Sequence, residues 1–175
     1  MSGHSHWSGI KHKKGITDQK RGQVFSKLLS AVVAAARAEQ NPEFNLRLRT
    51  AVQKAKDEKV PSENIKRAIK RAKESGAVLE ELMFEAYGPG GTALLIEAIT
   101  DNKNRTIPEI KKILNEREAK WAESGSVRWA FEKKETGFKP KFPQGLNEED
   151  TNKLNGLIEA LEDHADVQKV YTNAE

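Results

Sequence analysis

The sequence predicts an α+β protein, an N-terminal three-helix bundle followed by a small ferredoxin-like α+β sandwich. Apolar residues recur at helical spacing in three successive stretches up to Ala72, and beyond Ser75-Gly76 short apolar or alternating runs are interleaved with two further helical stretches. The charge changes at the same place. Through Gly76 there are 17 Lys and Arg against 7 Asp and Glu, net +10, whereas the remainder carries 13 against 19, net −6. A basic half joined to an acidic half implies that one end grips a polyanion and the other does something different. The expected organisation is a basic tail over 1–15, a basic three-helix domain over 16–76 and an acidic α+β domain over 77–175.

Met1 to Gly15 is polar, rich in Gly, Ser, His and Lys, and has no apolar period, so it reads as a tail that orders on contact. From about Thr17, Val24, Phe25, Leu28, Leu29, Val32, Val33 and Ala36 mark the first amphipathic helix. Leu46, Leu48, Val52 and Ala55 mark a second, starting near Pro42 or Asn45. Val60-Pro61-Ser62 then interrupts the chain, because the residue before a proline is driven out of the α region. Ile65, Ala68, Ile69 and Ala72 give the third.

In the second half, Leu82–Tyr87 and Thr92–Thr100 read as strands joined at Gly88-Pro89-Gly90-Gly91, whose residues suit a tight turn. The second strand is almost continuously apolar and is expected at the sheet centre. Asp101–Arg105 reads as a polar loop, followed by a helix that starts at a capping box, Thr106-x-x-Glu109, with Pro108 in its first turn. Val127, Trp129 and Phe131 alternate with Arg128 and Ala130 as a half-buried strand should. Thr136–Gln144, with two prolines, reads as an edge strand or loop. Asn147-x-x-Asp150 starts a last helix along Leu154, Leu157, Ile158 and Leu161, and Val167–Tyr171 closes as a strand.

The composition limits the chemistry. A chain of 175 residues with 37% hydrophobic and 32% charged content supports folded, soluble domains. The absence of cysteine removes disulfides, thiol nucleophiles and thiolate metal sites, which fits a reducing compartment. No stretch approaches the roughly 20 apolar residues that span a bilayer, and the N-terminal residues lack the apolar centre of a signal peptide, so a cytoplasmic location without a membrane partner is expected. HExxH, GxSxG and P-loop patterns are absent, and Gly88-Pro89-Gly90-Gly91 lacks the GK[ST] of a phosphate cradle. His4, His6 and His12 are metal-ligand types, but the carboxylate or thiolate that would complete a site is missing. The expectation is a non-enzyme with no cofactor, no metal and no small-molecule substrate.

The basic residues carry the functional reading. Lys66, Lys70 and Lys73 fall on one line of the third helix, with Arg67 and Arg71 on another, at spacings that share a face. The second helix adds Arg47, Arg49, Lys54 and Lys56, and the start of the chain adds Lys11, Lys13, Lys14, Lys20, Arg21 and Lys27. One such helix is ordinarily a solvated face; three helices and a tail biased the same way predict a nucleic-acid footprint. Trp7 beside His4 and His6 offers flat groups for base stacking, or packs against the bundle. Asn102, Lys103, Asn104 and Arg105 form a candidate second functional loop, presented by a rigid strand and helix.

Several blocks resemble the YebC family. They are Met1–Trp7 with Ile10-Lys11-His12, Lys20-Arg21-Gly22 through Phe25-Ser26-Lys27-Leu28, Asn45–Arg49, Tyr87–Gly91, Thr100–Thr106, and Gly125-Ser126-Val127 with Trp129, Phe131 and Glu132. The match continues through Leu161-Glu162-Asp163 and Val167–Glu175. The resemblance implies a three-helix domain followed by α+β domains, and a cytoplasmic non-enzyme acting in gene expression. Members have been described as promoter-binding regulators and as factors assisting translating ribosomes. They usually continue after the position of Phe131-Glu132 into a further α/β domain, which here is replaced by Lys133–Leu146; the chain resembles a short form. Glu118-Ala119 stands where the family favours glycines.

The expected partner is nucleic acid: ribosomal RNA or the translating ribosome, with promoter DNA as the alternative. A charged tail with an aromatic and histidines suits irregular RNA. The short turn at Val60-Pro61-Ser62 would suit a helix-turn-helix on DNA, but the third helix displays Lys and Arg, which mostly hold phosphates, and few of the Asn, Gln or Ser side chains that discriminate bases.

Overall fold

The computed structural model describes residues 18–74 and 78–175, which fall into two compact units. The first holds the described residues of 18–81 together with Ile99–Asn102, and the second holds Leu82–Ala98 and Lys103–Glu175.

In the first unit, α1 (Asp18–Ala36), α2 (Leu46–Asp57) and α3 (Ser62–Arg71) enclose Val32, Val33, Ala36, Leu48, Ala55, Val60, Ile65 and Ala68. Asn45 joins two of them. Its Oδ1 accepts the Leu48 N–H at 3.0 Å while its Nδ2 donates to the Ala35 carbonyl at 2.8 Å, so one side chain caps the start of α2 and the end of α1. At the other end of α2, Lys59 takes φ 64° and Val60 N–H donates to the Ala55 carbonyl at 3.0 Å, a left-handed cap that turns the chain into Pro61 and α3. Leu46, which the periodicity counts as core, is 62% exposed at the first turn of α2, whereas Leu48, counted with it, is buried.

The second unit is built on a four-stranded sheet in the order β3-β1-β2-β6, with β1 Glu80–Tyr87, β2 Ala93–Thr100, β3 Lys120–Ala122 and β6 Val167–Thr172. Strands β2 and β3 flank β1 and are connected through α4 (Lys103–Glu116), the split β-α-β unit of ferredoxin-like sheets. α4 and α5 (Glu148–Glu162) cover one face, where Ile110, Leu114, Leu154, Leu157 and Leu161 pack on Phe84, Ala86, Leu94, Ile96 and Val170. A two-stranded hairpin, β4 (Phe131–Lys134) with β5 (Gly137–Pro140), contributes to a second cluster, in which Phe131 and Phe138 join Ala93, Leu95, Val127 and Ala130. β2 therefore buries both sides, which is why its sequence is continuously apolar rather than alternating.

Three local expectations are corrected. α4 starts at Lys103, so Lys103, Asn104 and Arg105 form its first turn rather than a loop, and Pro108 lies in the second turn, where it withholds the N–H that would bond the Asn104 carbonyl. Thr106 is not a cap: its hydroxyl donates to Asp166 Oδ2 at 2.7 Å. Val127–Phe131 is not a strand either; Arg128–Ala130 is a 3₁₀ turn and extended pairing begins at Phe131. The short strand β3 was absent from the sequence reading. Asn147 does cap α5, accepting the Asp150 N–H at 2.7 Å.

Candidate nucleic-acid interface

α3 puts its apolar line, Ile65, Ala68, Ile69 and Ala72, against the first unit's core. At 100° per residue, Lys66, Arg67, Lys70 and Arg71 then occupy the opposite face, and all four are exposed. Lys66 Nζ lies 3.3 Å from Glu63 Oε1, and Arg67 Nη2 donates to Asn64 Oδ1 at 2.6 Å. Among the described residues, Lys70 and Arg71 have no ion-pair partner, and both stand in the last turn, where the negative end of the helix dipole favours cations. The result is a fixed row of cations on a rigid helix.

The other candidates separate. Lys20 and Arg21 are exposed in the first turns of α1, and Arg49, Lys54 and Lys56 are exposed on α2. Arg47 is exposed but forms an ion pair with Glu81 that satisfies much of its charge. Lys27 is a correction: it is only 3% exposed, on the line of α1 that also buries Ala34, so its ammonium cannot reach a phosphate. His4, His6, Trp7, Lys11, His12, Lys13 and Lys14 lie outside the described residues. Phe44, 78% exposed next to α2, is an aromatic the sequence reading did not single out.

Lys103 to Arg105 are exposed in the first turn of α4, and Asn102 is exposed just before it, but Arg105 is committed internally. Its Nη2 lies 2.9 Å from Asp166 Oδ2 and its Nη1 3.3 Å from Glu109 Oε2. His164 completes the network: Asp166 N–H donates to Nδ1 at 3.1 Å, which leaves Nε2 to donate to Glu109 Oε2 at 2.7 Å. Glu109, His164 and Asp166 offer ligand atoms within 4.8 Å of one another, a spacing that could reach a common cation. The guanidinium of Arg105 already supplies positive charge to both carboxylates, and the His164 ring nitrogens are both engaged, so the set acts as a clamp between α4 and the turn before β6.

A second polar centre sits under the 3₁₀ turn. Glu85, on β1 and only 4% exposed, accepts N–H bonds from Gly125 at 2.6 Å, Val127 at 2.8 Å and Arg128 at 3.0 Å. Burial pushes its carboxyl up, but those three donors and the Arg128 charge outweigh it and hold the group below the ordinary carboxylate value.

The domain family described as TACO1/YebC protein N-terminal domain matches residues 5–75, and TACO1/YebC second and third domain matches 79–139 and 133–174. The chain belongs to the TACO1/YebC family. It is 50% identical over 137 residues to a protein of Geotalea uraniireducens called "Probable transcriptional regulatory protein", covering 77% of this chain and 56% of that one. A protein of the same name from Acidobacterium capsulatum is 50% identical over 136 residues, covering 77% and 55%. The chain thus spans little more than half the length of these relatives. The crystal structure of a conserved hypothetical protein from Aquifex aeolicus superposes with a TM-score of 0.85 at 31% identity, covering 98% of this chain and 97% of that one. The α+β architecture is therefore that of the TACO1/YebC family.

Proposed function

We propose that this TACO1/YebC chain is a regulatory nucleic-acid-binding protein that acts in translation by holding RNA of the ribosome on its basic helical unit. The carrying observation is the outer face of α3, where Lys66, Arg67, Lys70 and Arg71 stand exposed on one rigid helix with no Asp or Glu between them. Such a row reads mainly charge, because exposed Lys and Arg mostly hold phosphates and the one Asn of the helix, Asn64, is bonded to Arg67. Lys20, Arg21, Arg49 and the basic tail with His4, His6 and Trp7 extend the same footprint, and Asn102 with Lys103 serves as a second contact. Replacing Lys66, Arg67, Lys70 and Arg71 by Glu should reduce affinity for every nucleic acid tested while helicity stays at the wild-type level. Unchanged affinity in a folded variant defeats the reading.

The relatives' name, "Probable transcriptional regulatory protein", favours promoter DNA as a second reading. The four residues between α2 and α3 are also compatible with a helix-turn-helix. Sedimentation of tagged protein through a sucrose gradient separates the two: comigration with ribosomes that RNase abolishes supports translation. Retention by one promoter sequence only, with no ribosomal fraction, supports the DNA reading.

A further inference from the structure

The base of the β4–β5 hairpin carries two large aromatic side chains in the open. Trp129 is 62% exposed and Phe142 56%, and their rings lie 5.6 Å apart at 49°. Both are held in place. The Trp129 indole N–H donates to the Ser126 carbonyl at 2.7 Å, Lys141 N–H donates to the Ala130 carbonyl at 2.8 Å, and Asn173 Nδ2 donates to the Phe142 carbonyl at 3.1 Å. The two rings therefore form a preorganised apolar surface whose ordering cost is met within the fold.

The same hairpin is basic, inside a half of the chain that is net acidic. From Arg128 to Lys141 there are five Lys or Arg and two Glu. The register pairs Glu132 with Lys139 and Lys133 with Phe138. Since Phe131 and Phe138 pack inward, alternation sends Glu132, Lys134 and Lys139 to the outer face. Lys134 Nζ lies 2.9 Å from Glu132 Oε1; Lys134 first, with Lys141 and Lys139 behind it, holds the Glu132 carboxyl below its ordinary value. The lysines are close enough to share one anionic neighbour, and the segment's two glutamates leave it net positive.

We propose that Trp129 and Phe142, at the base of a hairpin segment that also carries Lys139 and Lys141, form a stacking site for unpaired nucleotides of a single-stranded nucleic acid. Flat apolar rings on a net-basic segment fit a ligand that is itself flat, apolar and anionic at once. An apolar protein surface would cover the rings and leave the lysines unmatched, and a duplex keeps its base faces stacked on one another. An unpaired strand satisfies both, because any base can stack on an aromatic face while its phosphates meet the lysines. This site is distinct from the α3 face and does not depend on it.

The test uses the full chain, fluorescein-labelled 12-nucleotide oligouridine and oligothymidine, and a duplex of the same length. Trp129→Leu and Phe142→Ala should each weaken single-strand binding about tenfold, the double variant further, with duplex affinity unchanged within about twofold. In a Trp7→Phe background, which silences the tail tryptophan, oligouridine should quench tryptophan fluorescence, and adding Trp129→Leu should remove that quench. Should Trp129→Leu disturb the turn, Phe142→Ala carries the test, since its ring lies outside the core. Equal binding of both strands supports stacking alone; a preference for oligouridine adds ribose recognition to the same site. Unchanged single-strand affinity in both variants overturns the proposal, as does an equal loss for single strand and duplex. The α3 charge reversal distinguishes the two readings. A quench that persists when that reversal is made in the Trp7→Phe background supports a separate stacking site whatever happens to duplex binding, and its loss there overturns one.

Discussion

Glu85 shows how a single side chain shapes the second unit. Its carboxylate gathers the N–H groups of Gly125, Val127 and Arg128, and so fixes the turn that exposes Trp129. Glu85→Ala leaves those donors without their acceptor and should cost about 3 kcal/mol, read as a lowered denaturation midpoint. Because the folded-state carboxyl titrates below its ordinary value, its stabilisation is complete above about pH 4.5 and is lost as pH falls through the folded value. Glu85→Gln should therefore flatten the dependence of Tm on pH in the acid range, and an unchanged slope would contradict the assignment. This residue was not legible in the sequence. Its partners are backbone groups some forty positions away, and no pattern of side chains records them. Lys27 illustrates a related limit: it counted toward the footprint by its charge alone, whereas the fold buries it at 3% exposure.

At the scale of elements, long periodic segments were legible and short or tertiary-determined ones were not. The three N-terminal helices, the central β2 and the Asn147-capped α5 follow from spacing and capping chemistry within the segment itself. Thr106-x-x-Glu109 misled because its groups are taken by other partners, Thr106 by the distant Asp166 and Glu109 by the distant His164 and by Arg105 one turn back, while the helix begins one turn earlier. β3 is three residues long, too short for any period, and depends on pairing with β1 and on Trp121 packing 5.1 Å from Phe84. The clamp at α4 is itself testable. Asp166→Ala removes the acceptor of Arg105 and Thr106 and should destabilise by about 2 kcal/mol, measured by chemical denaturation. The hairpin has its own dependence on Gly137, which holds φ 102° and lies where an added Cβ would overlap the Tyr171 ring. Gly137→Ala should lower Tm and weaken oligouridine binding together, since Phe138 packs on Tyr171 and sets the hairpin's position. A variant with wild-type Tm would show that the turn relaxes freely.

The whole molecule is organised by charge, and that organisation was visible before any element was assigned: net +10 through Gly76 and net −6 beyond it. The fold refines the first figure, because Lys27 is buried and Arg47 is paired with Glu81, which leaves α3, the first turns of α1 and Arg49, Lys54 and Lys56 of α2 as the principal described cationic surfaces. Neutralising phosphates releases condensed counterions, so binding through this surface must weaken steeply with salt. Engagement of about six cations predicts a loss of roughly three orders of magnitude in affinity between about 50 and 200 mM salt. Each cation removed from the contact lowers the log–log slope by about one, so the four-residue reversal on α3 should reduce it by about three to four. The Trp129 and Phe142 variants delete stacking rather than charge and should leave the slope nearly unchanged while lowering affinity at every salt concentration. Anisotropy titrations at four or five salt concentrations measure both quantities at once. A wild-type slope near zero would remove the electrostatic basis of the proposed function, and a slope that falls equally in the aromatic variants would mean that the two surfaces are not separable.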